Sequence, residues 1–165
     1  MRFPVFVELE GKTAVVAGAG PIAERRIRIL EEFGANVTVI SPELSQGVRD
    51  LWREGKIDCI IRPVEKADIG GAFLAVAATG ERTVNHQVAV WCQEAGVLVN
   101  VADQKEECDF YFPGIAREGI LTAGVCAGGE DHKLAKSAAE EIRILFAEKY
   151  GMCGGGVPSP GKEGR

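Results

Sequence analysis

Thr13-Ala14-Val15-Val16-Ala17-Gly18-Ala19-Gly20-Pro21-Ile22-Ala23 is the stretch that decides the fold. Residues 13–17 form an apolar run with no alternation, as expected of a parallel strand covered on both faces. From residue 21 the period becomes helical, with Ala23, Ile27 and Leu30 on one side and Glu24, Arg25, Arg28 and Glu32 mostly away from it. Between strand and helix stands GxGxxA. Gly18 permits a tight turn, Gly20 lets backbone approach a pyrophosphate, and Ala23 allows close helix–strand packing. The free N–H groups at the helix start, around Pro21, Ile22 and Ala23, face that anion. Pro21 is tolerated there because its position has no intrahelical acceptor.

Outward from this loop the pattern repeats. Gly34 stops the first helix, and Val37 to Ile40 is a second apolar strand. Leu44, Val48 and Leu51 recur at helical spacing until Gly55, and strands are expected at Ile57 to Ile61 and Phe73 to Ala77. Val84, Val88, Trp91 and Cys92 mark a third helix ended by Gly96, and Val97 to Val101 is a fifth strand. Strands and helices alternating through short connections define an α/β fold, a Rossmann-type doubly wound parallel sheet.

Beyond Pro113 the character changes. A strand is expected at Leu121 to Val125, after a turn at Arg117-Glu118-Gly119. Asp131 can cap a helix carrying the stripe Leu134, Ala138, Ile142 and Leu145. Nothing downstream can cover that stripe, so it either lies on the preceding domain or meets another subunit. Glycine repeats and two prolines from Gly151 to Arg165 read as a disordered tail. The expected division is therefore 1–113, a dinucleotide-binding domain; 114–150, a strand–helix dimerisation region; and 151–165, a tail.

The bulk composition narrows the class. With 165 residues the chain is one domain in size, with room for a small appendage. Lys and Arg number 19 against 24 Asp and Glu, a net charge of −5, which argues against a general nucleic-acid binder. The five cysteines (59, 92, 108, 126 and 153) form no CxxC pair, and the first four lie in or beside apolar runs. Reduced, mostly buried thiols in a cytoplasmic protein are the expectation. Glu8 arrives too early for a signal peptide, and no apolar stretch approaches the ~20 residues of a membrane span. His86 and His132 are the only histidines, and no spacing of the zinc type accompanies them, so no permanent metal ligand is expected.

The end of the second strand normally offers an acid to the adenosine ribose. Here it reads Ile40-Ser41-Pro42-Glu43, where Ser41 can bond one ribose hydroxyl or act simply as a turn residue. No arginine stands beside it for a 2′-phosphate, Arg49 being the nearest downstream, and this favours NAD over NADP.

An ordered set of segments resembles one family. It comprises Phe3-Pro4-Val5-Phe6, the Gly18–Ala23 loop with Arg25-Arg26, Gly34-Ala35-Asn36-Val37-Thr38-Val39, and Ser41-Pro42-Glu43. It continues through Ala77-Ala78-Thr79, Val84-Asn85, Asn100-Val101-Ala102-Asp103 and Cys108-Asp109-Phe110. Together they resemble precorrin-2 dehydrogenases of the siroheme-synthase N-terminal type, over about residues 3 to 148. The resemblance implies NAD-dependent oxidation of precorrin-2 to sirohydrochlorin on a siroheme or cobalamin route, with Fe²⁺ or Co²⁺ insertion in some relatives. It also implies a homodimer, and it adds Pro42, Ala78 and Thr79 to the cofactor set.

Asp103 matches the family's catalytic aspartate. It follows the fifth strand, at the carboxyl edge where doubly wound sheets bind ligands, and a carboxylate there can accept the proton released on ring oxidation. By position alone it can equally be a solvated loop residue. The implied substrate carries eight carboxylates, so Arg117, Lys133 and Lys136 are candidate cationic partners. Glu130-Asp131-His132-Lys133 and Cys126-Ala127 depart from the family's usual residues. These departures motivate the alternative, a non-catalytic NAD-binding sensor or regulatory module.

Overall fold

A computed structural model describes residues 3–151. The expected tail lies outside the described residues except for Gly151. The chain divides into two compact units, one through Tyr111 and one from Phe112 onward.

The first unit is a five-stranded parallel sheet. Its strands are β1 (Thr13–Ala17), β2 (Asn36–Ile40), β3 (Asp58–Ile60), β4 (Leu74–Ala77) and β5 (Leu98–Val101), in the order β3-β2-β1-β4-β5. This is the Rossmann order, and the winding reverses between β1 and β4, paired in the register Ala17↔Ala77. The helices are α1 (Pro21–Glu32), α2 (Gln46–Arg53) and α3 (Arg82–Ala95). Ala23, Ile27 and Leu30 are the buried face of α1, as their spacing predicts. The helix expected from Leu44 begins at Gln46, because Ser45 takes the N-cap: its hydroxyl accepts the Val48 N–H at 3.3 Å.

On α3 the buried face is Asn85, Val88, Ala89 and Cys92. The expected stripe began at Val84, which is only half-buried, and its Trp91 is half-buried as well. The true face includes a polar residue, which an apolar-only reading of periodicity passes over. Val88, Ala89 and Cys92 join Val15, Ala17, Ala75, Ala77, Val99 and Val101 in the main core. Burial of each of the larger side chains stabilises the fold by about 1.5–3 kcal/mol.

Between β3 and β4 a 3₁₀ turn at Lys66–Ile69 was not expected from the sequence. Arg62 holds both carboxylate oxygens of Asp68, at 2.8 and 2.6 Å, and the Glu65 N–H donates to the same carboxylate at 2.7 Å. Three donors on one short acid stop the turn from unwinding.

The second unit is an antiparallel hairpin, β6 (Gly114–Glu118) and β7 (Leu121–Val125), with the helix α4 (His132–Tyr150). β6 was missed in the sequence. Arg117 and Glu118, expected in the turn, belong to the strand, and the turn itself is Gly119-Ile120. Asp131 caps α4 as expected, its carboxylate accepting the Leu134 N–H at 2.9 Å. Within the chain α4 packs through Ala135 and Ala139, which are buried, whereas Leu134 is 59% exposed and Leu145 is exposed. Gly114 explains this: a Cβ there would lie 2.5 Å from the Ala135 carbonyl oxygen. Only small residues on both sides permit so close an approach of strand and helix.

Candidate functional site

The residues expected to hold the dinucleotide, together with Asp103, gather at the carboxyl edge of the parallel sheet, beyond β1, β2, β4 and β5. Gly18 follows β1 with φ +104°, a conformation that favours glycine. A Cβ at Gly18 would meet the Ala78 carbonyl oxygen at 2.3 Å and the Thr79 nitrogen at 2.9 Å. The glycine loop and the Ala78-Thr79 turn are therefore in direct contact across the winding reversal.

Gly20 differs. It is the N-cap of α1 in an extended conformation that any residue adopts, and a Cβ there would enter open space. Neither strain nor crowding requires a glycine, so the open volume in front of it is what a pyrophosphate would fill. Pro21 is the first helical residue, and the first helical bond runs from the Glu24 N–H to the Gly20 carbonyl at 2.9 Å. The Ile22 and Ala23 N–H groups thus have no acceptor within the helix and suit an anion. Ile22 exposes its side chain and Ala23 buries its own, so Ile22 would serve by its backbone and Ala23 also by packing.

Ser41 follows β2 at 8% exposure, and its hydroxyl donates to the Glu43 carbonyl at 2.7 Å. Its lone pairs remain to accept from a ribose hydroxyl. Pro42 beside it is exposed. The Ser45 N–H donates to the Ala19 carbonyl at 3.3 Å, and the Ser45 hydroxyl donates to Glu24 at 2.9 Å. These two bonds tie the Ser41 loop to the glycine loop. Glu24 lies below the usual carboxylate range, chiefly through its hydrogen bond from Arg28 and then that from Ser45. Arg49 turns its Nε onto the Leu44 carbonyl at 3.1 Å.

Asp103 lies just beyond β5 with its side chain 38% exposed. Its Oδ2 accepts from Asn85 Nδ2 at 3.0 Å, and its Oδ1 lies 3.7 Å from Arg82 Nη1. Asn85 also accepts the Thr79 N–H at 2.9 Å and the Thr79 hydroxyl at 2.8 Å, which joins Asp103 to the Thr79 turn. Arg82 pairs more closely with Glu107, and His86 Nδ1 lies 3.1 Å from the same carboxylate. Burial raises the Glu107 carboxyl, but the hydrogen bonds from Arg82 and His86 outweigh it and hold the group below the ordinary value. His86 is exposed.

Sequence reasoning missed Asn85, Arg82 and Glu107 as part of this edge. The available signal was Asn85, a polar residue in register with the apolar positions 88, 89 and 92 of a helix. Arg117, Lys133 and Lys136 are all exposed, and Lys133 and Lys136 share their surface with Glu140 and Glu141. Among the described residues, no group of three His, Cys, Asp or Glu is placed to hold a metal ion.

A 3-2-1-4-5 parallel sheet with a glycine loop opening onto a helix start defines a dinucleotide-binding Rossmann domain. The chain belongs to the family described as putative NAD(P)-binding, whose model matches residues 5–114. Its cofactor is a nicotinamide dinucleotide. It is 40% identical over 145 residues to a probable multifunctional siroheme biosynthesis protein HemA of Ruminiclostridium josui, covering 87% of this chain and 28% of that protein. It is 36% identical over 148 residues to a siroheme synthase of Methylobacillus flagellatus, covering 90% of this chain and 32% of the relative. The chain thus spans about a third of the length of these curated relatives. The solved structure of SirC, a precorrin-2 dehydrogenase, superposes with a TM-score of 0.72 at 25% identity, over 90% of this chain and 73% of that one.

Proposed function

We propose that this chain is a cytoplasmic precorrin-2 dehydrogenase that oxidises precorrin-2 to sirohydrochlorin with NAD in siroheme biosynthesis, and that it works as a homodimer. The observation that carries the reading is Asp103, a half-exposed carboxylate bonded through Asn85 to the turn that touches the glycine loop. When bound, NAD accepts the hydride removed from the tetrapyrrole. The proton released with it goes to Asp103 Oδ1, the oxygen that Asn85 does not occupy. Gly18, Gly20, Pro21, Ile22 and Ala23 hold the pyrophosphate, Ser41 and Pro42 border the ribose, and Ala78 and Thr79 carry the nicotinamide side.

NAD is preferred to NADP in this reading because Ser41 offers a hydroxyl, and the Arg49 guanidinium already bonds the Leu44 carbonyl. No described helix is long and apolar enough to cross a membrane. The dimer reading is supported by Leu134, Ile144 and Leu145, which α4 leaves exposed while packing on β6 through alanines. A second copy of this chain is the occupant proposed for that face.

The test is anaerobic incubation with precorrin-2 and NAD or NADP. The sirohydrochlorin spectrum should grow together with reduced nicotinamide, faster with NAD. Tight NAD binding without turnover would overturn the enzyme reading in favour of an NAD-binding sensor.

A further inference from the structure

Asn85 is fully buried on α3, where an apolar residue would be the ordinary choice and a carboxamide without partners would be costly. It has partners for all of its hydrogen-bonding capacity. Its Oδ1 accepts the Thr79 N–H at 2.9 Å and the Thr79 hydroxyl at 2.8 Å. Its Nδ2 donates to the Thr79 carbonyl at 3.2 Å and to Asp103 Oδ2 at 3.0 Å. Two lone pairs and two protons are the full complement of a carboxamide. The Thr79 N–H can only donate, so Oδ1 must face it and Nδ2 must face Asp103. This chemistry sets the amide orientation.

We propose that Asn85 is a positioning residue that fixes the rotamer of Asp103 and couples it to the Thr79 turn. It holds Oδ2 as an acceptor and leaves Oδ1, 3.7 Å from Arg82 Nη1, to take the proton. The proposal rests on the reading of Asp103 as the proton acceptor. A buried asparagine with every bond made moves little, so Asp103 and the Thr79 turn keep one relative geometry without depending on the flexible side chains at the surface. Arg82 cannot do this, because Glu107 engages the same guanidinium more closely and both lie nearer to solvent.

The test uses the full chain with two substitutions that separate the two halves of the bonding. Asn85→Asp keeps an acceptor for Thr79 but loses the donor to Asp103, whereas Asn85→Ala loses both. Both variants should lower kcat by about 10- to 100-fold. The NAD dissociation constant should stay within about twofold of wild type in Asn85→Asp, which keeps the acceptor for Thr79, and should weaken further in Asn85→Ala, which frees the Thr79 turn. In an Asp103→Ala background, Asn85→Ala should change kcat by less than about twofold, since it acts through the missing group. Independently of turnover and without NAD, the assigned Asn85 carboxamide NMR signals should shift in Asp103→Ala.

Wild-type kcat in either folded Asn85 variant would overturn the proposal, and so would additive losses in the double substitution. If Asn85→Asp does not fold, Asn85→Ala and the NMR measurement still decide. If the wild type itself fails to oxidise precorrin-2, the reaction reading falls. The NMR measurement then stands alone, and unchanged Asn85 signals in Asp103→Ala would overturn the positioning role as well.

Discussion

Gly18 and Ala78 are in backbone contact: the Cβ that any other residue would bring at Gly18 lies 2.3 Å from the Ala78 carbonyl oxygen. This contact joins the turn after β1 to the turn after β4 where the winding of the sheet reverses. It also divides the two glycines of the loop by purpose, since the space beside Gly20 is empty.

The two glycines should therefore fail in different ways when replaced. Gly18→Ala meets backbone that cannot give way, at a φ of +104°, and should lose about 2–4 kcal/mol of stability by chemical denaturation. Gly20→Val should keep the wild-type melting temperature and lose NAD affinity by about 100-fold, ~2.7 kcal/mol, by calorimetry. Unchanged NAD binding by Gly20→Val would mean that the open space is not the pyrophosphate site.

Asp103→Ala should cut turnover of precorrin-2 by about 10² to 10⁴ while NAD affinity changes little. The aspartate follows β5, and the pyrophosphate loop follows β1, so the two effects are separable. A rise in KM together with the fall in kcat would add an orienting role toward the tetrapyrrole. Wild-type turnover would remove Asp103 from the chemistry.

The Asp68 carboxyl is held below its ordinary value of 3.8, first by the hydrogen bonds from Arg62 and, against the cost of burial, by the Glu65 N–H. A depressed carboxyl contributes stability that is fully present above the unfolded value and is lost as pH falls through the folded one. Asp68→Asn should lower stability at pH 7 by about 1–3 kcal/mol. It should also flatten the decline in stability below pH 3.8. Denaturant titrations of both proteins between neutral and acid pH test this, and parallel curves would show that the Arg62–Asp68 pair has no such role.

The cysteines should separate by reactivity. Burial, helped by the negative charge of Asp109, pushes the Cys92 thiol up to about 12, so it stays protonated at pH 8. Cys108 is also buried. Cys126 is exposed, contrary to the expectation that the first four thiols would be mostly buried, because β7 ends just before it and leaves it outside the sheet. Iodoacetamide at pH 8 followed by peptide mapping should label Cys126 in the folded protein, and Cys92 and Cys108 only after unfolding. Rapid labelling of native Cys92 would contradict its placement in the core.

Leu145→Asp should weaken a dimer built on the exposed face of α4 and leave the fold in place, since that side chain is exposed and outside the buried Ala135–Ala139 contact. Each Å² of apolar surface buried between two copies is worth ~25 cal/mol, and a carboxylate there would have to be desolvated. Light scattering at micromolar concentration should show a wild-type dimer and a substituted monomer. A monomeric wild type would end the dimer reading.

The amino-acid sequence alone determined the strand–helix alternation, the glycine loop and the place of Asp103 beyond β5. These are local signals: apolar runs, helical spacing and glycine stops act between near neighbours in the chain. The residues expected to bind the dinucleotide consequently did gather at one sheet edge. Tertiary structure decided the remainder. That Gly18 must be glycine depends on where the Ala78 backbone passes. That Asn85 matters depends on a bond to Asp103, reached only once α3 lies against β5. β6 pairs with β7, and α4 turns its alanines inward because Gly114 admits them. In each case the deciding neighbour is brought in by folding, and a steric limit or a hydrogen bond exists only once both partners are in place.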